Sequence, residues 1–88
     1  MFYLYVLKSK KDGKLYIGYS NNLKRRLQEH NDGQNVSTKH RGPFSLKYYE
    51  AYTSEDDAKQ REKSLKNFAQ AYTALKKRIQ KSLDMEGG

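Results

Sequence analysis

The chain has 88 residues, no cysteine, and 18 Lys and Arg against 10 Asp and Glu, which give a net charge of +8. This length suits a single domain with a thin core, and the lack of cysteine excludes disulfides, thiolate metal sites and a thiol nucleophile. The basic excess lies mainly in residues 1–49, so we expect a polyanionic partner; the alternative is a solvated basic surface without a ligand. No segment is long and apolar enough for a bilayer, so we expect a cytoplasmic protein without membrane contact.

The chain begins with a predicted β-hairpin. Residues 2–8 and 15–20 are rich in Tyr, Leu, Val and Ile, and Asp12-Gly13 between them is a strong turn signal. A two-residue turn there places Tyr5 opposite Ser20, whereas a longer turn shifts the pairing and keeps the same residues on each face. We expect the more apolar face, with Leu4, Val6, Leu15, Ile17 and Tyr19, to meet the helices. The other face carries Tyr3, Tyr5, Leu7, Tyr16, Gly18 and Ser20.

A short helix, a loop and a third strand follow. Candidate N-caps at residues 20–22 precede a helix predicted over Leu23–His30, which stops at Asn31-Asp32-Gly33. Residues 32–44 have no period and are expected to form a polar, basic loop. The third strand is predicted at Phe44–Tyr52.

Two more helices complete the chain. Ser54 and Asp57 resemble a capping box at the start of the second helix, and the last helix is predicted from Phe68 to Leu83. Residues 84–88 are expected to be a frayed tail. The element order ββαβαα predicts an α+β fold with one domain over residues 1–83, in which helices flank a three-stranded antiparallel sheet.

Arg26 and His30 lie one turn apart on the same edge of the first helix. Arginine suits a phosphate because its planar fork offers several donors with a permanent charge, and histidine transfers protons near neutral pH. The alternative for both is ordinary solvated surface.

Glu62 falls on the apolar stripe of the second helix, which Ala58, Leu65 and Ala69 trace. A carboxylate on a packing face needs a basic partner, a place at the rim of the helix or a bound cation. A salt bridge to Arg26 and a Mg²⁺ site therefore remain equal alternatives, because Mg²⁺ is often held by one or two carboxylates.

Two of the eight tyrosines have a special position. Tyr5 and Tyr16 share a face with Gly18, which leaves room for a ligand to approach the backbone, and a phenol there handles a proton. The tyrosines that are expected to be packing residues are Tyr3, Tyr48, Tyr49, Tyr52 and Tyr72.

These residues together resemble the GIY-YIG nuclease family over residues 2–80. Tyr3-Leu4-Tyr5, then ten residues, then Tyr16-Ile17-Gly18 resemble the two hairpin motifs, although Tyr3 and Leu4 replace Gly and Ile of the first motif. The segment 22–31 resembles the helix that carries the family's arginine and histidine, and Arg61-Glu62-Lys63 resembles the metal-binding glutamate. The similarity is greatest to small stand-alone members, and Ala74 stands where several members have asparagine.

The resemblance implies a metal-dependent endonuclease that hydrolyses phosphodiester bonds. Glu62 would hold Mg²⁺ or Mn²⁺, and Arg26 would neutralise charge in the transition state. Tyr5 would take the proton of the attacking water with help from His30, provided that its environment lowers the phenol pKa, and Tyr16 would orient water or phosphate. The sequence does not choose between the two tyrosines.

The expected substrate is DNA rather than RNA, with loose or structure-guided selection. Contacts to the nucleic acid are predicted at Gly18 and at basic positions of the loop and the last helix, namely Lys39, His40, Arg41, Lys76, Lys77, Arg78 and Lys81. A monomer is expected, and a partner protein could supply targeting. Two alternatives remain open: a nucleic-acid-binding module without cleavage, and a protein-interaction domain.

Overall fold

A three-stranded antiparallel sheet forms the centre of the protein in a computed structural model that describes residues 1–85. The strands are β1 (Phe2–Ser9), β2 (Leu15–Ser20) and β3 (Phe44–Tyr52), in the order β2-β1-β3. The predicted α+β class, the antiparallel sheet and the order of elements are confirmed. β1 is the central strand, and residues 4–7 of this strand are all buried.

The hairpin has the longer of the two predicted turns. Tyr5 is paired with Gly18 and Leu7 with Tyr16, so the two-residue turn at Asp12-Gly13 is wrong. The Ser9 hydroxyl oxygen accepts hydrogen bonds from the backbone N–H groups of Lys11 and Asp12 at 3.1 and 3.2 Å. These bonds satisfy backbone donors in the turn and stabilise the longer loop. The faces remain as predicted.

Three helices cover one face of the sheet. They are α2 (Glu55–Asn67), α3 (Ala69–Arg78) and α4 (Gln80–Asp84). The main apolar core lies between these helices and the sheet and consists of Leu4, Val6, Ile17, Leu65, Leu75, Ile79 and Leu83. The single last helix that we predicted is divided at Ile79. The Ser54 side chain makes no capping hydrogen bond, so the predicted capping box is wrong.

One helix, α1 (Leu23–Asn31), covers part of the opposite face. Asn22 is its N-cap and accepts a hydrogen bond from the Arg25 backbone N–H at 3.0 Å. Leu23 and Leu27 pack with a smaller buried cluster of Tyr5, Leu7 and Phe44. The tyrosine-bearing face therefore also contributes to the core, which the hairpin pattern did not indicate.

An irregularity in the pairing of β1 with β3 changes the alternation of side chains along β3, so that even-numbered residues before and after it face opposite sides of the sheet. Val6 is paired with Tyr48, but Leu7 is paired with Leu46, so Lys47 is an extra residue. Phe44 and Leu46 consequently pack near α1, whereas Tyr48 and Tyr52 contact the main core.

The last helix extends into the segment that we predicted to be a frayed tail. Asp84 of the predicted tail is the last residue of α4, and residues 86–88 of that tail lie outside the described part. Within residues 1–85, no helix has the length and apolar character that a bilayer crossing requires.

Candidate active site

A buried hydrogen bond joins β1 to the end of α1. The Tyr5 hydroxyl lies 2.9 Å from His30 Nε2, and the two side chains are only 3% and 1% exposed. The prediction from sequence placed these residues in one site without a contact between them. The structure brings them into direct contact because α1 crosses the sheet with its last turn above the tyrosine-bearing face.

The second ring nitrogen of His30 also has a partner. His30 Nδ1 lies 2.7 Å from Thr38 Oγ1, and Thr38 is fully buried at the end of a short 3-10 helix, Val36–Thr38. In the tautomer with the proton on Nδ1, this nitrogen donates to Thr38 and leaves Nε2 to accept the Tyr5 hydroxyl proton. Sequence reasoning missed Thr38. The only available signal was the need of a buried histidine for two partners, which does not identify the second residue.

Gly18 makes room for Tyr5. A Cβ atom at Gly18 would lie 2.6 Å from Tyr5 Cζ, so the phenol ring fills the space above the glycine. The prediction that this space admits a ligand to the backbone is therefore wrong, although the need for glycine at this position has a clear steric cause.

Tyr16 is the more accessible phenol. It is partly exposed, its ring centroid lies 4.9 Å from that of His30, and Lys66 Nζ lies 5.6 Å from the Tyr16 ring centroid. Tyr16 therefore lies between the buried histidine and the exposed end of α2. This difference in exposure distinguishes the two tyrosines, which the sequence did not.

Arg26 has a donor without a partner. Its Nε atom is buried and makes no hydrogen bond to any residue of the described chain, 1–85. Nη1 lies 3.6 Å from Glu29 Oε1, and the side chain is 34% exposed, so the guanidinium reaches solvent. A buried unpaired N–H is costly and is satisfied when an anionic oxygen binds beside it.

Glu62 has a basic partner other than the predicted one. Its Oε2 atom accepts from Lys66 Nζ at 3.2 Å, one turn along α2, and the side chain is 23% exposed. The expected alternative, a salt bridge to Arg26, is not formed. The carboxylate instead reaches the rim of α2, where a cation can approach.

The charges of these groups act on one another. Burial raises the pKa of Tyr5, and the neighbouring Tyr16, Glu62 and Glu29 raise it further, while Arg26 opposes them. If Tyr5 acted as a free base, its environment would have to lower the pKa of the phenol. The environment of Tyr5 does the opposite. Burial, assisted by Arg26, lowers the pKa of His30, so its imidazole is neutral near pH 7 and able to accept a proton.

The residues present could bind a hard divalent cation only if water and phosphate supplied most of its ligands. Among residues 1–85 there is no cluster of three or more His, Cys, Asp or Glu side chains that could hold a metal ion alone. Glu62 supplies one carboxylate, with Oε2 on Lys66 and no hydrogen bond to Oε1 from the described residues. Such a site suits Mg²⁺ or Mn²⁺, which accept a single carboxylate when water and phosphate complete the shell.

The basic residues predicted to contact nucleic acid fall into two groups, one in the loop before β3 and one on α3 and α4. Arg41 Nε is 3.4 Å from Asp12 Oδ2 in the hairpin turn, and Lys11 Nζ donates to the His40 backbone oxygen at 3.2 Å. Lys76 lies over the Tyr72 ring on α3, on the opposite face of the sheet from α1. The other basic residues predicted for contact are exposed: Lys39 in the loop, Lys77 and Arg78 on α3, and Lys81 on α4.

Comparison with known proteins gives consistent similarities. Residues 1–80 match a family model described as the GIY-YIG catalytic domain. The chain is 40% identical over 68 residues to a UPF0213 protein of Staphylococcus saprophyticus, with 76% of this chain and 82% of the relative covered. A UPF0213 protein of Clostridium perfringens is 42% identical over 67 residues, which cover 75% of this chain and 71% of the relative.

A solved structure has the same overall arrangement. The solution NMR structure of a UPF0213 protein from Bacillus halodurans has a TM-score of 0.55 and 29% sequence identity. The superposition covers 99% of this chain and 98% of that chain. The described residues of the site all fall inside the segment that the family model matches.

Proposed function

This chain belongs to the GIY-YIG nuclease family, as its hairpin motifs indicated, and we propose that it is a metal-dependent endonuclease that hydrolyses phosphodiester bonds in DNA. The observation that carries the proposal is the buried Nε of Arg26, which has no hydrogen-bond partner among residues 1–85. The charges of Arg26 and Glu62 both act on Tyr5. An anionic group with several oxygens is the ligand that such an arrangement lacks.

Arg26 binds the scissile phosphate in this proposal. Its Nε and the exposed part of its guanidinium donate to the non-bridging oxygens, where negative charge grows as the water attacks. Interactions that strengthen in the transition state accelerate the reaction. The contact between Nη1 and Glu29 holds the guanidinium in place before the substrate arrives.

We give the two phenols different roles because they differ in exposure. Tyr16 contacts the attacking water because it is partly exposed, whereas Tyr5 is 3% exposed. The Tyr5 hydroxyl connects the site to His30. The attacking water, which Tyr16 orients, gives its proton to the Tyr5 oxygen while the Tyr5 hydroxyl gives its own proton to His30 Nε2, 2.9 Å away. This relay does not need a stable phenolate at Tyr5, whose pKa is raised.

Glu62 is the residue that would hold a divalent cation. A bound Mg²⁺ or Mn²⁺ would supply Lewis-acid stabilisation of the phosphate and of the leaving oxygen. Lys66 must release the carboxylate oxygen that it now contacts at 3.2 Å. An exposed ammonium is easily moved, since surface ion pairs contribute only about 0–1 kcal/mol.

The test is a cleavage assay on labelled single-stranded, duplex, flapped and four-way-branched DNA with Mg²⁺, Mn²⁺ or EDTA. Glu62→Gln, Tyr16→Phe and Tyr5→Phe are compared with the wild type, after circular dichroism has established that each variant folds. Glu55→Gln is the matched control, because Glu55 is an exposed carboxylate on the same helix. We expect metal-dependent cutting that the first three substitutions abolish or greatly reduce and the control leaves unchanged.

One contact favours a second candidate function. Lys66 already neutralises Glu62, as it would in a nucleic-acid-binding module that does not cut. That function predicts salt-sensitive binding that is unaffected by EDTA. Binding without cutting on any substrate, or cutting that Glu62→Gln and both tyrosine substitutions leave intact, would overturn the endonuclease proposal.

A further inference from the structure

An uncovered aromatic pair lies next to the candidate active site. Tyr49 is 52% exposed, Tyr3 is partly exposed, and their rings meet edge to face with centroids 5.8 Å apart. Neither hydroxyl makes a hydrogen bond to another residue of the described chain. A large aromatic residue that is half in solvent on a strand leaves a flat apolar surface free for a ligand.

Strand pairing places this pair beside the phenols of the site. Tyr49 on β3 is the direct partner of Tyr5 on β1, and Gly18 on β2 is the partner of Tyr5 on the other side. Tyr3 precedes Tyr5 by two residues and therefore shares its face. Leu23 and Leu27 of α1 pack with the buried cluster that includes Tyr5, whereas Tyr49, the strand partner of Tyr5, remains 52% exposed.

The charge around the pair suits a polyanion. No acidic residue occurs among the strand positions of this face, which are Tyr3, Tyr5, Leu7, Tyr16, Gly18, Ser20, Phe44, Leu46, Tyr49 and Ala51. Helix α1 begins three residues after Ser20, which is the strand partner of Tyr3. The helix has three basic residues and one acidic residue, namely Lys24, Arg25, Arg26 and Glu29. A basic helix beside an exposed aromatic surface favours a nucleic-acid strand over an apolar protein segment.

We propose that Tyr3 and Tyr49 form a stacking subsite for an unpaired base next to the scissile phosphate. The inference rests on the proposed function and names its substrate class. The bases of a duplex are stacked on their neighbours and do not offer a free face, whereas a base in a single strand or a flap does. Arg26 holds the phosphate while the Tyr3–Tyr49 pair holds the adjacent base, so the enzyme acts on unpaired strands.

The test measures binding in EDTA, where cutting is suppressed, with the full chain. The probes are a fluorescent twelve-nucleotide oligo(dT), the corresponding oligo(rU), a duplex of equal length, and a single strand that carries 2-aminopurine. The variants are Tyr49→Leu and, independently, Tyr3→Leu. Tyr49→Phe keeps the ring, and Phe68→Leu is the control, because Phe68 is 62% exposed between α2 and α3.

We expect the wild type to bind the single strand more tightly than the duplex. Tyr49→Leu should weaken single-strand binding about ten-fold, within the range for loss of one base–aromatic stack, and should remove the quenching of 2-aminopurine. Duplex binding should change little, and Tyr49→Phe and Phe68→Leu should behave as the wild type. The comparison of oligo(dT) with oligo(rU) shows which sugar the subsite accepts.

The contrary results separate the two proposals. Equal weakening on single strand and duplex, or unchanged quenching in both leucine variants, would overturn the stacking subsite while cleavage by the wild type persists. No binding to any of the probes, together with no metal-dependent cutting, would overturn both the subsite and the endonuclease function.

Discussion

Two polar clusters on opposite faces of the same sheet differ in how completely their hydrogen bonds are satisfied. On the face of α2, Glu50 accepts from Tyr48 at 2.6 Å, from Tyr52 at 2.5 Å and from Arg61 Nε at 3.0 Å. We call these four residues the closed cluster. The open cluster consists of Tyr5, Tyr16, Arg26 and His30 on the face of α1, together with Glu62, which belongs to α2 and lies at the rim of that helix.

The difference shows which groups are available for a ligand. Burial would raise the pKa of Glu50, but the hydrogen bonds from Tyr48, Tyr52 and Arg61 outweigh it and hold that pKa below its usual range. In the closed cluster, the Glu50 carboxylate, both tyrosine hydroxyls and the Arg61 guanidinium thus each have a hydrogen-bond partner. In the open cluster, Arg26 Nε has no hydrogen-bond partner among the residues that the structure describes. A satisfied network stabilises the fold, whereas an unsatisfied buried donor indicates a binding site.

The largest effect is expected from Arg26→Lys in the open cluster. A lysine cannot reproduce the guanidinium fork, so we expect the cleavage rate to fall by about 10²–10³-fold, the usual range for loss of one transition-state donor. Arg25→Lys is the control, because Arg25 is more exposed and pairs with Glu29. Single-turnover rates and thermal melts provide the measurement. Similar losses in both variants would contradict a specific role for Arg26.

The next effect is expected from Glu50→Ala in the closed cluster. The substitution leaves the Arg61 guanidinium and two tyrosine hydroxyls without their shared acceptor, so we expect the free energy of unfolding to fall by about 2–3 kcal/mol. The cleavage rate of the folded protein should remain unchanged. Urea unfolding and single-turnover rates measure the two quantities. A rate loss as large as that of Arg26→Lys would show that the clusters are not separate.

Gly18→Ala tests the position of Tyr5. The new methyl group would lie 2.6 Å from Tyr5 Cζ, so the buried ring must shift away from His30. We expect a loss of about 2 kcal/mol in unfolding free energy, typical of overpacking. In a Tyr5→Leu background the same substitution should cost less, because the clashing ring atoms are absent. Equal costs in both backgrounds would show that the ring does not depend on the glycine.

The sequence predicted the strands well because their apolar runs and turn signals are local properties. The limits of β3, Phe44–Tyr52, agree with the prediction. The extra residue Lys47 in the β1–β3 pairing was not predictable, since it depends on packing on both faces. The break at Ile79 was missed for a similar reason: apolar spacing continues through it, and only tertiary contacts with the core redirect the chain.

The residue types of the site were predictable, but their contacts were not. The spacing of Arg26 and His30 indicated one shared edge, yet His30 is buried between Tyr5 and Thr38. Thr38 lies in a loop without periodicity, so no pattern indicates it. Lys66 was also missed as the partner of Glu62. The four-residue spacing of Glu62 and Lys66 on one helix is the signal for that contact.

The smallest effect is a pH dependence of stability that comes from His30. Burial lowers the pKa of His30 in the folded protein below about 6.5, the value for an unfolded chain. As the pH falls through 6.5, the unfolded chain therefore binds a proton that the folded protein does not bind. The free energy of unfolding should decrease in this window, by at most about 1.4 kcal/mol per pH unit for one proton. Below the folded pKa this slope should vanish.

His30→Gln should remove this slope, and His40→Gln should retain it, because His40 is exposed. Urea unfolding between pH 5 and 7.5 measures the effect. Glu29 partly opposes the shift by raising the pKa of His30, so Glu29→Gln should make the slope extend to lower pH. A wild-type stability that rises as the pH falls below 6.5 would mean that the folded protein binds the proton more tightly. His30 would then be charged beside Tyr5 and unable to accept the proton that cleavage releases.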